Sequence, residues 1–594
     1  MNRSAVLHIP MSQYAYGTDE EHIVIRLRAG RGDLTECILH YGDRACRLTP
    51  VLFTEQKMAV VAQTEEFDYW ETTLEHPYKR LCYYFTLYDG REEVLYYGER
   101  FTEEERFLYY GDFFSDHCVD DRSEYYQLPF NHRADIVAPP EWAQDTIIYN
   151  IFPDSFATEY RYLCGRGEEK EWGGVPTKGK LGGTIRGICE NVEYLKNLGV
   201  NAIYINPIFV AGEYHKYDLL DYFHIDPCFG TDDDFHRLID VFHANGLKVI
   251  IDGVFNHCGW YFFAFDDVVK KGEQSAYRDW FYGLNYPVVR PEDPEEYPGY
   301  ECFGYERMMP KLNLANPETA EYFCKVGRYW VEKFHIDGWR LDVASEINDG
   351  FWRKFRESVK SVDPDAILIG EVWESAAHWL DGTMFDSTMN YDFRKHCRRF
   401  FGEQTADAGE FDSRMTDMRM RYRKQTVYAQ LNLLDSHYVS RFRSLCRDEE
   451  SFRLAVIFQM TFPGMPSVFY GDEVGLTGIL EEEYRQPMPW DTLDESSPLF
   501  LLYQKAIALR KRERTLRRGE YRTLLAEPGS RVYGYERYLE KEDGSIESIR
   551  IFLNMEEENV PLPEELLGGE ILWQEGLKEG QLAAKGFALI RARD

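Results

Sequence analysis

From about Leu7 to Gly98, apolar and polar residues alternate over short runs: "HIVIRLRAG", "ECILHYG", "RLCYYFTLYDG" and "EVLYYG". Gly and Asp turns separate the runs, and a period of two broken by turns predicts an antiparallel β-sandwich. A looser acidic stretch follows, and near Trp142 the pattern changes. Strand-like runs ending in polar residues now alternate with segments of helical period. Eight runs qualify: "TIIYNIFPD", "VNAIYINPIF", "LKVIIDGVFNH", "IDGWRLDVASE", "AILIGEVWE", "TMFDSTMNYDF", "VYAQLNLLDSH" and "PSVFYGDEVG". Between them lie segments such as "TDDDFHRLIDVFHANG", with Thr231 as N-cap, acids in the first turn and Gly246 as the stop. Eight strands alternating with helices predict a (β/α)8 barrel over a doubly wound sheet.

A long interruption from about Gly259 to Leu314, rich in Pro, Tyr and Glu, follows the third strand. It exceeds ordinary loop lengths and predicts a small inserted subdomain beside the active face. After the helical run "LYQKAIALRKRERTL", short β-like pieces return from about Arg518 ("RVYGYERYL", "SIRIFLNM", "FALIRARD") and predict a C-terminal antiparallel sheet domain. The expected organisation is an N-terminal β-sandwich over 1–125, the barrel over 126–513 with its insert at 259–314, and the C-terminal β domain over 514–594. There is no internal repeat and no low-complexity tract.

Composition narrows the partners. Hydrophobic residues at 44% and charged residues at 29% describe a globular protein, and a formal net charge of -34 argues against nucleic acid or an anionic membrane surface. The N-terminal "MNRSAVLHIPMSQYAYG" has no apolar stretch of signal-peptide length, and no later run could span a bilayer, so the expected location is the cytoplasm. Twelve cysteines are scattered from Cys37 to Cys446 without a C-x-x-C pair. They read as reduced, buried thiols and not as a disulfide framework or a zinc site; no cofactor is expected.

In a barrel the chemistry sits at the C-terminal strand ends. Those ends carry Asp252 with Asn256 and His257, then Arg340 with Asp342, then Glu371, then His437. Arg340 and Asp342 are two apart on a strand and share one face, so the guanidinium can keep the carboxylate ionised and aimed, as a nucleophile requires. Glu371 ends the apolar run "AILIG" beside Val372 and Trp373, an apolar setting that would raise its pKa and suit general acid work. Two such carboxyls on adjacent strands form the arrangement used to cleave glycosidic bonds. Neutral His257 and His437 could donate hydrogen bonds to sugar hydroxyls, and Tyr217 in "HKYD" could offer a stacking face. Singly, each of these reads as a helix cap, a surface charge or a core side chain. Their coincidence at successive strand ends is what points to a site.

These segments resemble the α-amylase superfamily of glycoside hydrolases. The likeness runs through "DGVFNH" (Asp252 to His257), "GWRLDVASE" (Gly338 to Glu346), "GEVWE" (Gly370 to Glu374) and "LLDSH" (Leu433 to His437), with "NPIF", "HKYD" and "PGMPSVFYGDEVG" in support. "MPKLN" (Met309 to Asn313) is similar to the marker of the neopullulanase, cyclomaltodextrinase and maltogenic amylase branch. By that resemblance Asp342 is the nucleophile, Glu371 the general acid/base and Arg340 the arginine that orients the nucleophile, with Asp252 supporting Arg340. His257, His437 and Tyr217 match groups that hold the sugar at the cleavage point, and Arg485 in "YRQPMPW" falls where a residue contacts the next sugar. The implied substrates are α-1,4-linked small glucans, namely maltooligosaccharides and cyclodextrins, with pullulan as a further candidate. Hydrolysis with retention is implied, and transglycosylation is a close variant. The branch pairs as homodimers in which the N-terminal module of one subunit lids the partner's site.

Two departures stand out. The superfamily's last motif reads His then Asp, and here the second position is Tyr438. A phenol is neutral at pH 7, so a charge-assisted bond to the sugar is lost, and contacts of that kind supply about 3 to 4 kcal/mol of barrier lowering. This motivates an alternative: a catalytically weakened relative that binds maltooligosaccharides. Asp435 occupies a position often acidic in relatives that also keep the missing Asp, so it is not counted as a replacement. The second departure concerns calcium. Branch members hold the ion after the first strand and in a "GGD" turn, where this chain has "FATEYRYLCGRGEEKEW" and "GGT" (Gly182 to Thr184). The oxygen ligands are mostly absent and no metal is expected there.

Overall fold

The computed structural model describes residues 1–46, 51–75, 78–98, 100–102, 125–160, 168–541 and 543–592. The chain forms two compact units, one of Met1–Ala138, Thr405–Val427 and Gly519–Asp594, the other of Pro139–Gln404 and Tyr428–Arg518.

In the first unit, two antiparallel sheets meet through the inward residues of period-two strands. Ile23, Ile25 and Leu27 of His22–Gly30 join Cys37 and Leu39 of Glu36–Asp43 and Leu81, Tyr83, Phe85 and Leu87 of Leu81–Tyr88 in one buried core. The C-terminal residues form an antiparallel sheet of their own, centred on Val532–Glu540, Ile546–Asn554 and Gln581–Ala592. Three distant segments of this unit converge on the buried Glu71: Arg26 Nε donates to it at 2.8 Å, and Lys424 Nζ lies 3.0 Å from it and 3.3 Å from Glu520.

The second unit is a parallel ring. Its strands are β1 (Ile148–Ile151), β2 (Ala202–Ile205), β3 (Lys248–Gly253), β4 (Gly338–Leu341), β5 (Ile367–Gly370), β6 (Ser387–Thr388), β7 (Leu431–Leu433) and β8 (Met465–Phe469). They pair in the order β6-β5-β4-β3-β2-β1-β8-β7, and a parallel bridge from Met389 to Leu431 closes the ring. The eight expected strands and the barrel they imply are therefore present. One expected run is corrected in part: Val427, Tyr428 and Ala429 of "VYAQLNLLDSH" end a helix, Lys424–Ala429, and β7 begins only at Leu431. Helices fill the connections, among them Asp232–Ala244, which starts on Thr231 with a capping box to Asp234 and is followed by Gly246 at φ 73°. No helix among the described residues is long and apolar enough to cross a membrane.

Strand parity decides what points into the ring. Asn150 pairs with Tyr204, Tyr204 with Ile250, and Asp252 with Arg340, so the inward row is apolar at its base and polar toward the strand ends. Ile148, Ala202, Ile250, Ile367, Leu431 and Met465 pack the base. Above them Asn150, Tyr204, Asp252 and Arg340 are buried polar groups that must find partners in one another. Gly370 ends β5 because a Cβ there would overlap the Phe385 ring.

Candidate active site

One guanidinium organises the C-terminal face. Arg340 Nη1 donates to Asp252 at 2.9 Å and 3.1 Å and to Asp342 Oδ1 at 2.7 Å, while Nη2 lies 2.8 Å from Glu371 Oε1. All four side chains are buried. Parity brings Asp342 onto the face of Arg340, and the β4–β5 register brings Glu371 alongside. Glu371 Oε2 also accepts the Val343 backbone N–H at 2.9 Å. The apolar setting expected for Glu371 from its sequence neighbours is thus corrected: its carboxylate faces a guanidinium and a peptide N–H, contributed by a strand its own sequence does not show.

Burial pushes the Asp342 carboxyl well above the usual range; Arg340 opposes this, and Glu371 and Asp252 reinforce it. Asp252 is also raised, by burial first, with Arg340 again opposing. Asp342 and Asp252 thus each hold a proton to higher pH than an exposed acid would.

The cluster forms the floor of a pocket of about 440 Å³, lined in part by Tyr217, His257, Asp342, Glu371, Tyr438 and Arg485. His257 stacks on Phe303 at 5.0 Å, and its buried Nε2 has no hydrogen-bond partner among the described residues. Burial, then the Lys311 charge, lowers its pKa to about 3, so the ring is neutral. His437 lies behind this lining. Its Nε2 is 2.6 Å from the Tyr217 hydroxyl and its Nδ1 is 2.9 Å from Asn206 Nδ2. Arg485 Nε donates to the His437 carbonyl at 2.8 Å, and its Nη1 reaches Glu481 at 2.5 Å and Tyr214 at 3.2 Å.

Residues 150–491 match the α-amylase catalytic domain. The chain belongs to the α-amylase family. The family's N-terminal Ig-like domain matches residues 1–132. Neopullulanase 2 of Thermoactinomyces vulgaris is 40% identical over 539 residues, covering 90% of this chain and 88% of the relative. A cyclomaltodextrinase of Geobacillus thermopakistaniensis is 38% identical over 568 residues, covering 95% and 93%. A solved cyclomaltodextrinase superposes with a TM-score of 0.86 at 35% identity, over 100% of this chain and 98% of the other. The expected resemblance and the glycosidase class are therefore borne out.

Within this α-amylase family site, Tyr438 is 51% exposed, and no side chain among the described residues bonds its hydroxyl. Its ring meets Trp373 edge-on at 5.9 Å, and Trp373 in turn stacks face to face on Tyr391 at 3.7 Å. Burial, then Glu371 and Asp342, raises the phenol's pKa, so no negative charge stands at this position. Asp435 is engaged elsewhere: it accepts the Phe442 N–H at 2.5 Å, and burial beside Asp472 pushes its carboxyl up.

In the sequence Trp373 stands out only as a flank of Glu371, and Asn206 only as the first residue of "NPIF", without a role in the site. Exposure of a tryptophan (here 44%) and a contact with His437 across 231 positions have no local signal. Near the "GGT" turn, the Asp154 carboxylate accepts the backbone N–H groups of Lys180, Leu181 and Gly182 at 3.0, 2.9 and 3.2 Å, so its lone pairs are committed to the chain. Thr184 of that turn caps the helix Ile185–Glu190. Residues 161–167 of the expected calcium loop lie outside the described residues. Among the described residues, no three His, Cys, Asp or Glu side chains are grouped to hold a metal ion.

Proposed function

We propose that Asp342 and Glu371 perform retaining cleavage of α-1,4-glucosidic bonds in small glucans: maltooligosaccharides, cyclodextrins and, more distantly, pullulan. The observation that carries this reading is the pairing of both carboxyls with the two terminal nitrogens of Arg340 on the pocket floor. Asp342 attacks the anomeric carbon as Glu371 gives its proton to the departing glycosidic oxygen, leaving a glycosyl ester on Asp342. Glu371 then takes a proton from water, or from a second sugar in transglycosylation, as that oxygen displaces Asp342. The net configuration is retained because two inversions occur.

Arg340 holds the nucleophile in place, and Asp252 holds Arg340. His257 Nε2, without a hydrogen-bond partner among the described residues, meets a sugar hydroxyl. Tyr217, seated on His437, forms the platform under the ring, with Tyr438 at its side and Arg485 beside the next sugar. Names of the relatives, a neopullulanase and cyclomaltodextrinases, support small glucans as the substrate class.

The test is turnover of maltotriose, cyclodextrin and pullulan by wild type and Asp342→Asn. Wild type should release sugar, and Asp342→Asn should be at least about 10⁴-fold slower because the nucleophile acts as part of a unit. Sugar binding by wild type without any turnover would replace the hydrolase with the binding protein. A homodimer acting in the cytoplasm completes the proposal; Cys37, Cys189, Cys258, Cys324 and Cys397 are buried free thiols, in keeping with a reducing compartment. A monomeric mass in solution at micromolar concentration would remove the dimer.

A further inference from the structure

We propose that Asn206 is a positioning residue that locks His437 as the Nε2–H tautomer, so that the Tyr217 hydroxyl meets a bound sugar as a hydrogen-bond acceptor. The inference rests on the sugar site proposed above.

The hydrogen-bond network is anchored at a group with no freedom. The Tyr204 backbone carbonyl can only accept, and Asn150 Nδ2 lies 3.1 Å from it, so Asn150 must present its amide nitrogen there. The same nitrogen lies 3.0 Å from the Asn206 side chain, which must therefore present its oxygen. That fixes the other end of the Asn206 amide: its nitrogen faces His437 Nδ1 at 2.9 Å and donates to it, as it does to the Tyr204 hydroxyl at 3.0 Å. A ring nitrogen that accepts carries no proton. Burial, then the Arg340 and Arg485 charges facing the ring, holds His437 neutral, so its single proton sits on Nε2.

The Nε2–H then donates to the Tyr217 hydroxyl, 2.6 Å away. The hydroxyl's own proton is directed inward to Asp252 Oδ2 at 3.2 Å, an oxygen that also receives the Tyr204 hydroxyl at 2.6 Å. With one lone pair filled by His437 and its proton given to Asp252, Tyr217 has only its remaining lone pair for the pocket. A sugar hydroxyl over Tyr217 is thereby required to donate. Asn206 reaches this outcome without touching the substrate, because it stands behind His437 and is itself fully buried.

The test reads the tautomer directly. Full-length protein labelled with ¹⁵N-histidine should show, in long-range ¹H–¹⁵N correlation spectra, a His437 ring protonated at Nε2 and bare at Nδ1, assigned by its disappearance in His437→Gln. A proton on Nδ1, or on both nitrogens, would overturn the proposal. Asn206→Asp replaces the donor with an acceptor and should move the proton to Nδ1. It should lower kcat on maltotriose tenfold or more with KM within threefold, and raise the acid limb of the pH profile as the new carboxylate favours imidazolium. A folded Asn206→Asp with the wild-type tautomer, kcat and pH profile would equally overturn it. Should wild type not turn over maltotriose, the hydrolase reading fails, while the wild-type spectrum still decides the tautomer.

Discussion

Val343 takes the left-handed region, φ 44° and ψ 44°, and its backbone N–H donates to Glu371 Oε2 at 2.9 Å. A β-branched residue there costs about 1–2 kcal/mol, and the strain falls on the residue directly after Asp342. One tight turn thus ends β4, aims the candidate nucleophile and grips the candidate acid. Val343→Gly should relieve the strain, leaving stability equal to wild type or up to about 1 kcal/mol higher after glycine's own entropic cost. Denaturant unfolding checks this; a loss beyond about 2 kcal/mol would mean that no strain was stored.

Tyr438 tests how far a neutral group can serve where the family places a carboxylate. Tyr438→Asp should raise kcat on maltotriose by one to two orders of magnitude, about 1.4 kcal/mol for each. Tyr438→Phe should separate the ring from its unpartnered hydroxyl. If Tyr438→Asp is slower than wild type, the tyrosine belongs to a specialised site and is no deficit.

Glu473, just past β8, is buried and accepts two phenols through Oε1, Tyr149 at 2.7 Å and Tyr194 at 2.5 Å, while Oε2 has no hydrogen-bond partner among the described residues. Burial raises its pKa from 4.5 to about 7, against the pull of the two tyrosines. A carboxyl raised on folding stabilises the native state below its unfolded pKa, and that contribution is lost as pH climbs through the folded value. The melting temperature should therefore fall between pH 4.5 and pH 7, in part through this group. Glu473→Gln keeps an acceptor for both phenols and removes the charge, so it should flatten that slope and melt higher than wild type at pH 8. An unchanged slope would exclude Glu473 as a source.

Asp154 closes the turn leading to "GGT", where no metal is expected, and it does so with three backbone N–H groups. Chelator should leave both melting temperature and maltotriose turnover unchanged, and added calcium should restore nothing. Asp154→Ala should cost about 1–3 kcal/mol, because three part-buried N–H donors lose a buried carboxylate as their shared acceptor. A melting temperature that falls with chelator and recovers with calcium would contradict this reading.

The parts of the site legible in the sequence are those fixed by strand parity. Arg340 and Asp342 share a face because they are two apart, and Asp252 sits across from Arg340 because both are inward residues near strand ends. The misjudged parts depend on partners brought from elsewhere. The apolar run "AILIG" suggested a dry surrounding for Glu371, yet a strand buried on both faces says nothing about what meets the side chain at its tip. Tyr428 and Ala429 continue an apolar pattern into Leu431, and periodicity over so few residues does not separate a helix end from a strand. Asn206 opens the "NPIF" segment, but nothing in that segment names its partner: its role exists only once the fold brings it to His437, beyond β7.

The two-residue β6 has a mechanical consequence. Between β6 and β7 the ring has one main-chain bridge, Met389 to Leu431, and the Asn390 N–H bond to the Leu431 carbonyl at 2.8 Å. Side-chain hydrogen bonds also fasten that edge: Thr388 Oγ1 to Gln430 at 2.7 Å and Asn390 Nδ2 to Asn432 at 2.8 Å. By contrast β2 and β3 are joined over four consecutive pairs. The ring behaves as a rolled ribbon with a clasp, and native-state hydrogen exchange should find the amides of Asn390 and Leu431 opening well before those of Ile251 and Leu341. Opening at the clasp leaves the ladder from β3 through β5 intact, so Arg340 and its three carboxylates can ride through such breathing as a preassembled block.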